Sequence, residues 1–192
     1  VKTLVGDRSI VKLIFVPGPP GVRKIRITRE VVARSDARFS VSATTRAPRE
    51  GETDGKDYWF VSRAEFERLI AQDRLLEWAE VFGNYYGTPA GPVDEALRQG
   101  QTIILEIDVQ GGLQVARKMP AARFVLIAPP SDEDLSARLR GRGSEDEQTV
   151  ARRLGAARQE LETARKSGVY TYEVINDDLQ QAIRRVLEIV QN

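Results

Sequence analysis

Hydroxyls, two arginines and a tyrosine crowd the stretch from Ser40 to Tyr58, which opens Ser-Val-Ser-Ala-Thr-Thr-Arg-Ala-Pro-Arg. Arg46 and Arg49 stand three residues apart, with Ser42 upstream and Tyr58 at the far end. A guanidinium group presents a planar fork of donors that matches phosphate oxygens, and neighbouring hydroxyls add further donors. The segment is therefore expected to hold a phosphorylated small molecule, with Ser42, Arg46, Arg49 and Tyr58 converging on one phosphate and one base. A solvated loop is the other reading of the same residues.

Four further constellations carry possible chemistry. Gly18, Gly21 and Lys24 lie in a Gly-Pro-rich turn after an apolar run, the context of a phosphate-binding loop. Gly18 and Lys24 fall in register with that motif, but Arg23 stands at its second glycine and Ile25 at its magnesium-binding hydroxyl. Glu77 sits among apolar neighbours, and Tyr86 and Thr88 follow the next turn. A carboxylate there suits the N–H edge of guanine, against the alternative of an edge-strand acid beside core aromatics. Glu106 and Asp108 end a buried apolar run, two residues apart and so on one side of a strand. One acid there would reach a hydrated magnesium and the other a substrate, and capping of the next helix by Asp108 is the competing reading. Arg138, Arg142 and Arg153 surround the flexible joint Arg140-Gly-Arg-Gly143, a natural moving lid over transferring phosphate.

The elements that must position these groups follow from periodicity. Apolar β-branched runs at Ile10–Val16, Thr102–Asp108 and Ala122–Ile127 read as buried strands. Helices are expected over Ile27–Ala33, Pro92–Gln99, Gly111–Met119, Ser131 to about Arg140, Glu147–Lys166 and Leu179–Val190. A capping box, Ser62-Arg-Ala-Glu65, opens another. Short strands are expected at Phe39–Ser42, Tyr58–Val61 and Tyr172–Ile175, and a hairpin joins Leu75–Phe82 to Tyr85–Thr88. Strands alternating with helices at both ends predict an α/β core with a parallel sheet covered on both faces. The strand-rich middle, about 38–90, predicts a small separate lobe.

Composition narrows the chemistry. The 192 residues are 41% hydrophobic and 30% charged, as expected of a globular enzyme. The 29 basic and 28 acidic residues nearly cancel, which gives no field for nucleic acid. No apolar run reaches the ~20 residues of a membrane span, and residues 1–10 lack a signal-peptide core. Cysteine and histidine are both absent. Thiolate chemistry and the commonest general base are thereby excluded. Phosphoryl transfer tolerates this, because it depends on positioning and charge stabilisation.

Taken in order, Gly18-Pro-x-Gly21, Ser42-Ala-Thr-Thr-Arg-Ala-Pro-Arg49, Glu77-Trp78, Gly83-Asn-Tyr-Tyr-Gly87, Glu106-Ile-Asp-Val-Gln-Gly111, Ala128-Pro-Pro-Ser131, Gly141-Arg-Gly143 and Val174-Ile-Asn-Asp177 resemble the guanylate kinase family from about Ile10 onward. The resemblance implies a P-loop kinase-like parallel sheet core flanked by helices (about 10–37, 91–136 and 168–192), a β-rich GMP-binding lobe (about 38–90) and a helical lid (about 137–167). It implies transfer of phosphate from ATP to GMP with Mg2+, in a cytoplasmic monomer or homodimer without nucleic acid or membrane as partner. Glu77 and Asp108 would read the guanine amino edge, and Ser42 and Thr88 its other polar atoms. Arg46, Arg49, Tyr58 and Tyr86 would hold the GMP phosphate. Gly18, Gly21 and Lys24 would take the ATP phosphates, with Arg138, Arg142 and Arg153 closing over them and Asn176 near adenine. Glu106 would hold magnesium through water.

The departures from the family pattern lie in the ATP half, where Pro17, Pro20, Arg23, Ile25 and Arg26 replace its usual residues. Pro20 removes a backbone donor, Arg23 crowds a close approach to phosphate, and Ile25 cannot ligate magnesium. Each lost transition-state contact of ~1.4 kcal/mol slows turnover about tenfold. Two expectations follow: a guanylate kinase slowed by its loop, or a GMP-binding or protein-interaction module of the same fold.

Overall fold

A computed structural model of the chain describes residues 13–15 (backbone only), 24–81, 83–140 and 147–191. Its core is a five-stranded sheet in the order β2-β7-β1-β8-β9, every pairing parallel. The strands are β1 (Leu13–Phe15), β2 (Arg38–Phe39), β7 (Ile103–Leu105), β8 (Arg123–Ala128) and β9 (Tyr172–Ile175). Alternate residues of the central strands serve opposite faces. Ile104, Val125 and Ile127 pack with Ile27 and Val31 of α1 (Lys24–Ala33) and Ile183 and Val186 of α7 (Leu179–Gln191). Ile103, Leu105 and Phe124 pack on the other face with Val93 of α3 (Ala90–Arg98) and Val115 of α4 (Val109–Lys118). Both faces are covered, as the apolar runs predict.

The second sheet has the order β4-β3-β6-β5, built from β3 (Ala43–Thr44), β4 (Trp59–Phe60), β5 (Leu75–Val81) and β6 (Asn84–Pro89). Its small core is Ala43, Phe66 and Leu75, with the Phe66 and Tyr85 rings stacked at 5.3 Å. Phe66 comes from α2 (Arg63–Ala71), whose start is capped as its sequence requires: Ser62 Oγ accepts the Glu65 N–H at 3.1 Å. The hairpin turns at Gly83, whose φ of 77° lies in the left-handed region.

Two sequence expectations change here. The single strand expected at Phe39–Ser42 is two strands in two sheets: Arg38 and Phe39 pair with β7, and Ala43 and Thr44 pair with β6 and β4. The chain therefore leaves the core sheet after Phe39, two residues inside the expected lobe. The strand expected to run to Asp108 stops at Leu105, because Asp108 turns to cap α4. The remaining helices are α5 (Asp132–Arg140) and α6 (Glu147–Ser167). No helix among the described residues is long and apolar enough to cross a membrane.

Candidate active site

Because the core strands are parallel, the carboxyl ends of β1 and β7 face one edge of the sheet, where open α/β folds bind ligands. Lys24 opens α1 there, and Glu106 and Asp108 leave β7 there. Glu106 is half-buried, which pushes its carboxyl above the usual range, while the charges of Lys24 and Arg29 oppose that shift. Ile25, beside Lys24, is 55% exposed on the first turn of α1. Gly18, Gly21, Arg23 and Arg142 lie outside the described residues.

Glu77 is 5% exposed and stands opposite Thr88 in the β5–β6 hairpin. Thr88 donates its hydroxyl to Glu77 Oε1 at 2.6 Å. Pairing slips between Leu75 and Glu77, so Leu75, Leu76 and Glu77 are all buried. This bulge breaks the usual in–out alternation: it sends Leu75 to the lobe core and Leu76 to the main core, and turns Glu77 inward. Burial raises the Glu77 carboxyl to about 7, with the Thr88 hydrogen bonds opposing and the nearby Asp108 charge reinforcing the rise.

Asp108 is the N-cap of α4, and its Oδ1 accepts the Gly111 N–H at 2.7 Å. A Cβ on Gly111 would lie 2.6 Å from Glu77 Oε2 and 3.4 Å from Asp108 Oδ1. The two carboxylates thus converge on the first turn of α4 from different parts of the chain, and a Cβ at Gly111 would have to displace the Glu77 carboxylate. Gln114 fixes that helix to β5 by exchanging hydrogen bonds with the Trp78 backbone, accepting at 3.3 Å and donating at 2.8 Å.

The arginine segment forms the other end. Arg46 makes a bidentate pair with Glu52, both bonds 2.9 Å, and donates to the Ala47 carbonyl at 2.7 Å. The Arg49 N–H donates to the same Glu52 carboxylate at 2.7 Å, which the Arg46 hydrogen bond above all holds down at about 2. The Arg46 guanidinium lies 5.4 Å from the Tyr58 ring centre, and Tyr58 meets Tyr86 edge-on at 6.0 Å. Burial, and the charge of Glu106 after it, raises the Tyr58 hydroxyl. Tyr86 and Thr88 are two residues apart on β6 and share a face, roughly 7 Å apart along the strand. One strand face therefore joins the arginine–tyrosine end to the buried carboxylates. Ser42 is half-buried at the same sheet, its carbonyl accepting the Trp59 N–H at 2.9 Å.

Across the core sheet, Arg138 of α5 donates to the Asn176 carbonyl at 2.8 Å, and its Nη1 is buried without a hydrogen-bond partner. Asn176 is 1% exposed, after the end of β9. Arg153 is half-buried on α6. Arg158 pairs with Asp132 at 2.6 Å, the surface role its position on a polar helix face suggests.

Sequence reasoning missed three contributors. Glu52 follows the arginines closely and its spacing offered a signal, since an acid beside two required cations tends to orient them. Glu160 and Tyr170 offered none: the Tyr170 hydroxyl reaches the Val109 carbonyl across sixty-one residues of chain, and Glu160 is a half-buried acid of α6 whose carboxyl is raised by burial and feels the charges of Lys24 and Asp108.

A family model described as Guanylate kinase matches residues 10–192. The chain is 47% identical over 187 residues to a guanylate kinase of Synechocystis sp., covering 96% of each chain. It is 52% identical over 176 residues to a guanylate kinase of Gloeobacter violaceus, covering 91% of this chain and 84% of that one. The crystal structure of guanylate kinase from Anaplasma phagocytophilum superposes with a TM-score of 0.77 at 31% identity, covering 96% of this chain and 86% of that one. A gluconokinase from Sinorhizobium meliloti shares the fold alone, at 14% identity and a TM-score of 0.50.

Proposed function

The chain belongs to the guanylate kinase family, and we propose that its site passes the γ-phosphoryl group of ATP to GMP, giving ADP and GDP. The observation that carries this reading is the pairing of two unlike ends on one face of β6. Buried Glu77 with Thr88 and Asp108 would accept the N–H edge of guanine, and the cluster of Arg46, Tyr58 and Tyr86 would take its phosphate. Ser42 joins the guanine end and Arg49 the phosphate end.

In the transfer, an oxygen of the GMP phosphate attacks the γ-phosphorus and the bond to the β–γ bridging oxygen breaks, leaving ADP. Two anions must meet. Arg46 and Arg49 offset the acceptor's charge, and Tyr58 and Tyr86 donate hydrogen bonds that hold the attacking oxygen in place. Lys24 stands at the start of α1, where a helix N-terminus favours phosphate. By the family resemblance, Gly18 and Gly21, which precede it in the sequence, would join Lys24 in holding the ATP phosphates. Arg138, Arg142 and Arg153 supply charge from the lid, and the unpartnered buried Nη1 of Arg138 is a donor suited to an anion. Asn176 lies beside Arg138 and would take the adenine end.

Magnesium fits as an ion carried in on ATP. Among the described residues no cluster of three or more metal-ligating side chains exists, and Ile25 offers no oxygen. Glu106, whose carboxyl feels the charge of Lys24, would hold a hydrated ion through water, the mode magnesium favours. When bound, the ion would neutralise phosphate charge. The reading carries with it a cytoplasmic enzyme, monomeric or homodimeric, with GMP and ATP as its small-molecule partners.

A coupled assay of ADP release with GMP and ATP tests the whole. GMP-dependent turnover is expected, with Arg46→Ala raising the KM for GMP more than about tenfold. GMP binding without ADP release would overturn phosphoryl transfer and leave a binding module.

A further inference from the structure

Strand β5 is an edge strand of the second sheet, and α4 packs along it. Gly111, Gln114 and Lys118 recur at helical spacing and form one stripe of α4. Gly111 abuts the Glu77 carboxylate, and Gln114 exchanges hydrogen bonds with the Trp78 backbone. Lys118 Nζ donates to the Leu75 carbonyl at 3.1 Å. Helix and strand are thus tied at two backbone points, one on each side of Glu77. Lys118 also lies 3.8 Å from Asp73 Oδ1, but the two side chains are 44% and 73% exposed, where an ion pair contributes little. The bond to the carbonyl is the contact with a structural consequence.

Leu75 and Trp78 also share a face of the sheet. Leu75 packs with Phe66 in the lobe core, and Trp78 meets edge-on, at 5.7 Å, the Tyr85 ring that stacks on Phe66. Residues three apart on a regular strand point to opposite faces. The slip in pairing between Leu75 and Glu77 supplies the odd residue. Continued regularly from Leu75, the strand would turn Glu77 to the face of Tyr85, opposite that of Thr88. The backbone polar groups obey the same count. Along an antiparallel strand they point by turns toward and away from the neighbouring strand. Leu75 and Trp78, three apart, both present theirs to α4. Holding both ends outward requires an extra residue between them, which is the bulge.

We propose that Lys118 is a positioning residue for choice of the acceptor base: by donating to the Leu75 carbonyl while Gln114 holds Trp78, it fixes the bulge between them and so the face on which Glu77 meets guanine. The inference rests on the GMP reading of the site. In this role Lys118 acts through the backbone of β5 and through Glu77.

Steady-state constants for GMP and for inosine monophosphate, which lacks the guanine amino group, test this, with melting temperature as the measure of folding. Lys118→Met keeps the stem and removes the donor. It is expected to lower the preference for GMP over inosine monophosphate about tenfold through the KM for GMP, with kcat within about twofold. Lys118→Arg, which still donates, is expected to keep most of the preference. Gln114→Leu releases the other tie without changing any charge, and is expected to lower the preference in the same way. In a Glu77→Ala background, Lys118→Met is expected to cost no further preference, because its effect runs through Glu77. Unchanged preference in Lys118→Met overturns the proposal, even where its melting temperature falls, since the lysine would then support the fold alone. Loss in Lys118→Met without loss in Gln114→Leu also overturns it, because charge and not the tie to β5 would be responsible. So does a further loss in the Glu77→Ala background. Glu77→Ala that by itself keeps the preference overturns the guanine reading of the site instead, which keeps the two failures distinct.

Discussion

Glu77 concentrates the physical tension of the site. Its burial is unfavourable to the charged form, and its carboxyl titrates at about 7 against an ordinary value of 4.5. The sign follows from linkage. A folded-state pKa above the unfolded one means that the stability contributed by the protonated form is fully present below pH ~4.5 and is lost as pH rises through ~7. The loss amounts to about 3 kcal/mol at ~1.36 kcal/mol per unit. Glu77→Gln should therefore melt progressively higher than the wild type as pH rises from 5 to 8, and the two curves should run parallel above pH ~8. Melting curves that differ by a constant at all pH values would show that Glu77 is already ionised when the site is empty. In the liganded state the N–H edge of guanine favours the carboxylate. GMP binding at pH 6 should then expel a proton from the wild type beyond that expelled from Glu77→Gln, a difference that calorimetry in buffers of unlike ionisation enthalpy detects.

At the scale of elements, two glycines decide how closely the hairpin and α4 approach. A Cβ on Gly87 would lie 2.7 Å from the Glu77 carbonyl oxygen, a rigid backbone atom, whereas a Cβ on Gly111 would meet the movable end of the Glu77 side chain at 2.6 Å. The two substitutions should fail differently. Gly87→Ala must part β5 from β6 and is expected to cost stability by roughly 1–3 kcal/mol, visible in urea unfolding. Gly111→Ala is expected to fold, to push the carboxylate off Thr88 and to weaken GMP binding at least about tenfold. A Gly111→Ala protein that binds GMP normally would show that Glu77 does not read the base. The capping box at Ser62, the hairpin at Gly83 and most helices were legible from spacing, because local hydrogen bonds and apolar periodicity act within a few residues. The early stop of β7 was not, since Ile107 is as apolar as a strand residue and the decision lies with the Asp108 cap. Nor was the division of Phe39–Ser42, where two sheets compete for one short segment.

For the whole molecule, the second sheet is joined to the core through β5 and α4, where Gln114 exchanges hydrogen bonds with the Trp78 backbone. A ligand spanning both ends of the candidate acceptor site should couple to global stability. GMP at about one hundred times its Kd should stabilise the fold by ~2.7 kcal/mol, or roughly 5–10 °C in Tm for a chain of this size. Guanosine, without the phosphate, should give a much smaller shift, and equal shifts for the two would remove the arginine cluster from the site. By itself the sequence determined the family and its α/β architecture, because the motifs that carry them are contiguous and each requires particular side chains at fixed spacing. It also singled out both ends of the candidate acceptor site. Only the tertiary structure decided how those ends are supported: Glu52 clamping two arginines, a bulge turning Glu77 inward, Gly111 standing between two carboxylates, and Tyr170 holding the first turn of α4. These contacts join segments up to sixty-one residues apart. Their geometry depends on how whole layers pack, which local spacing does not encode.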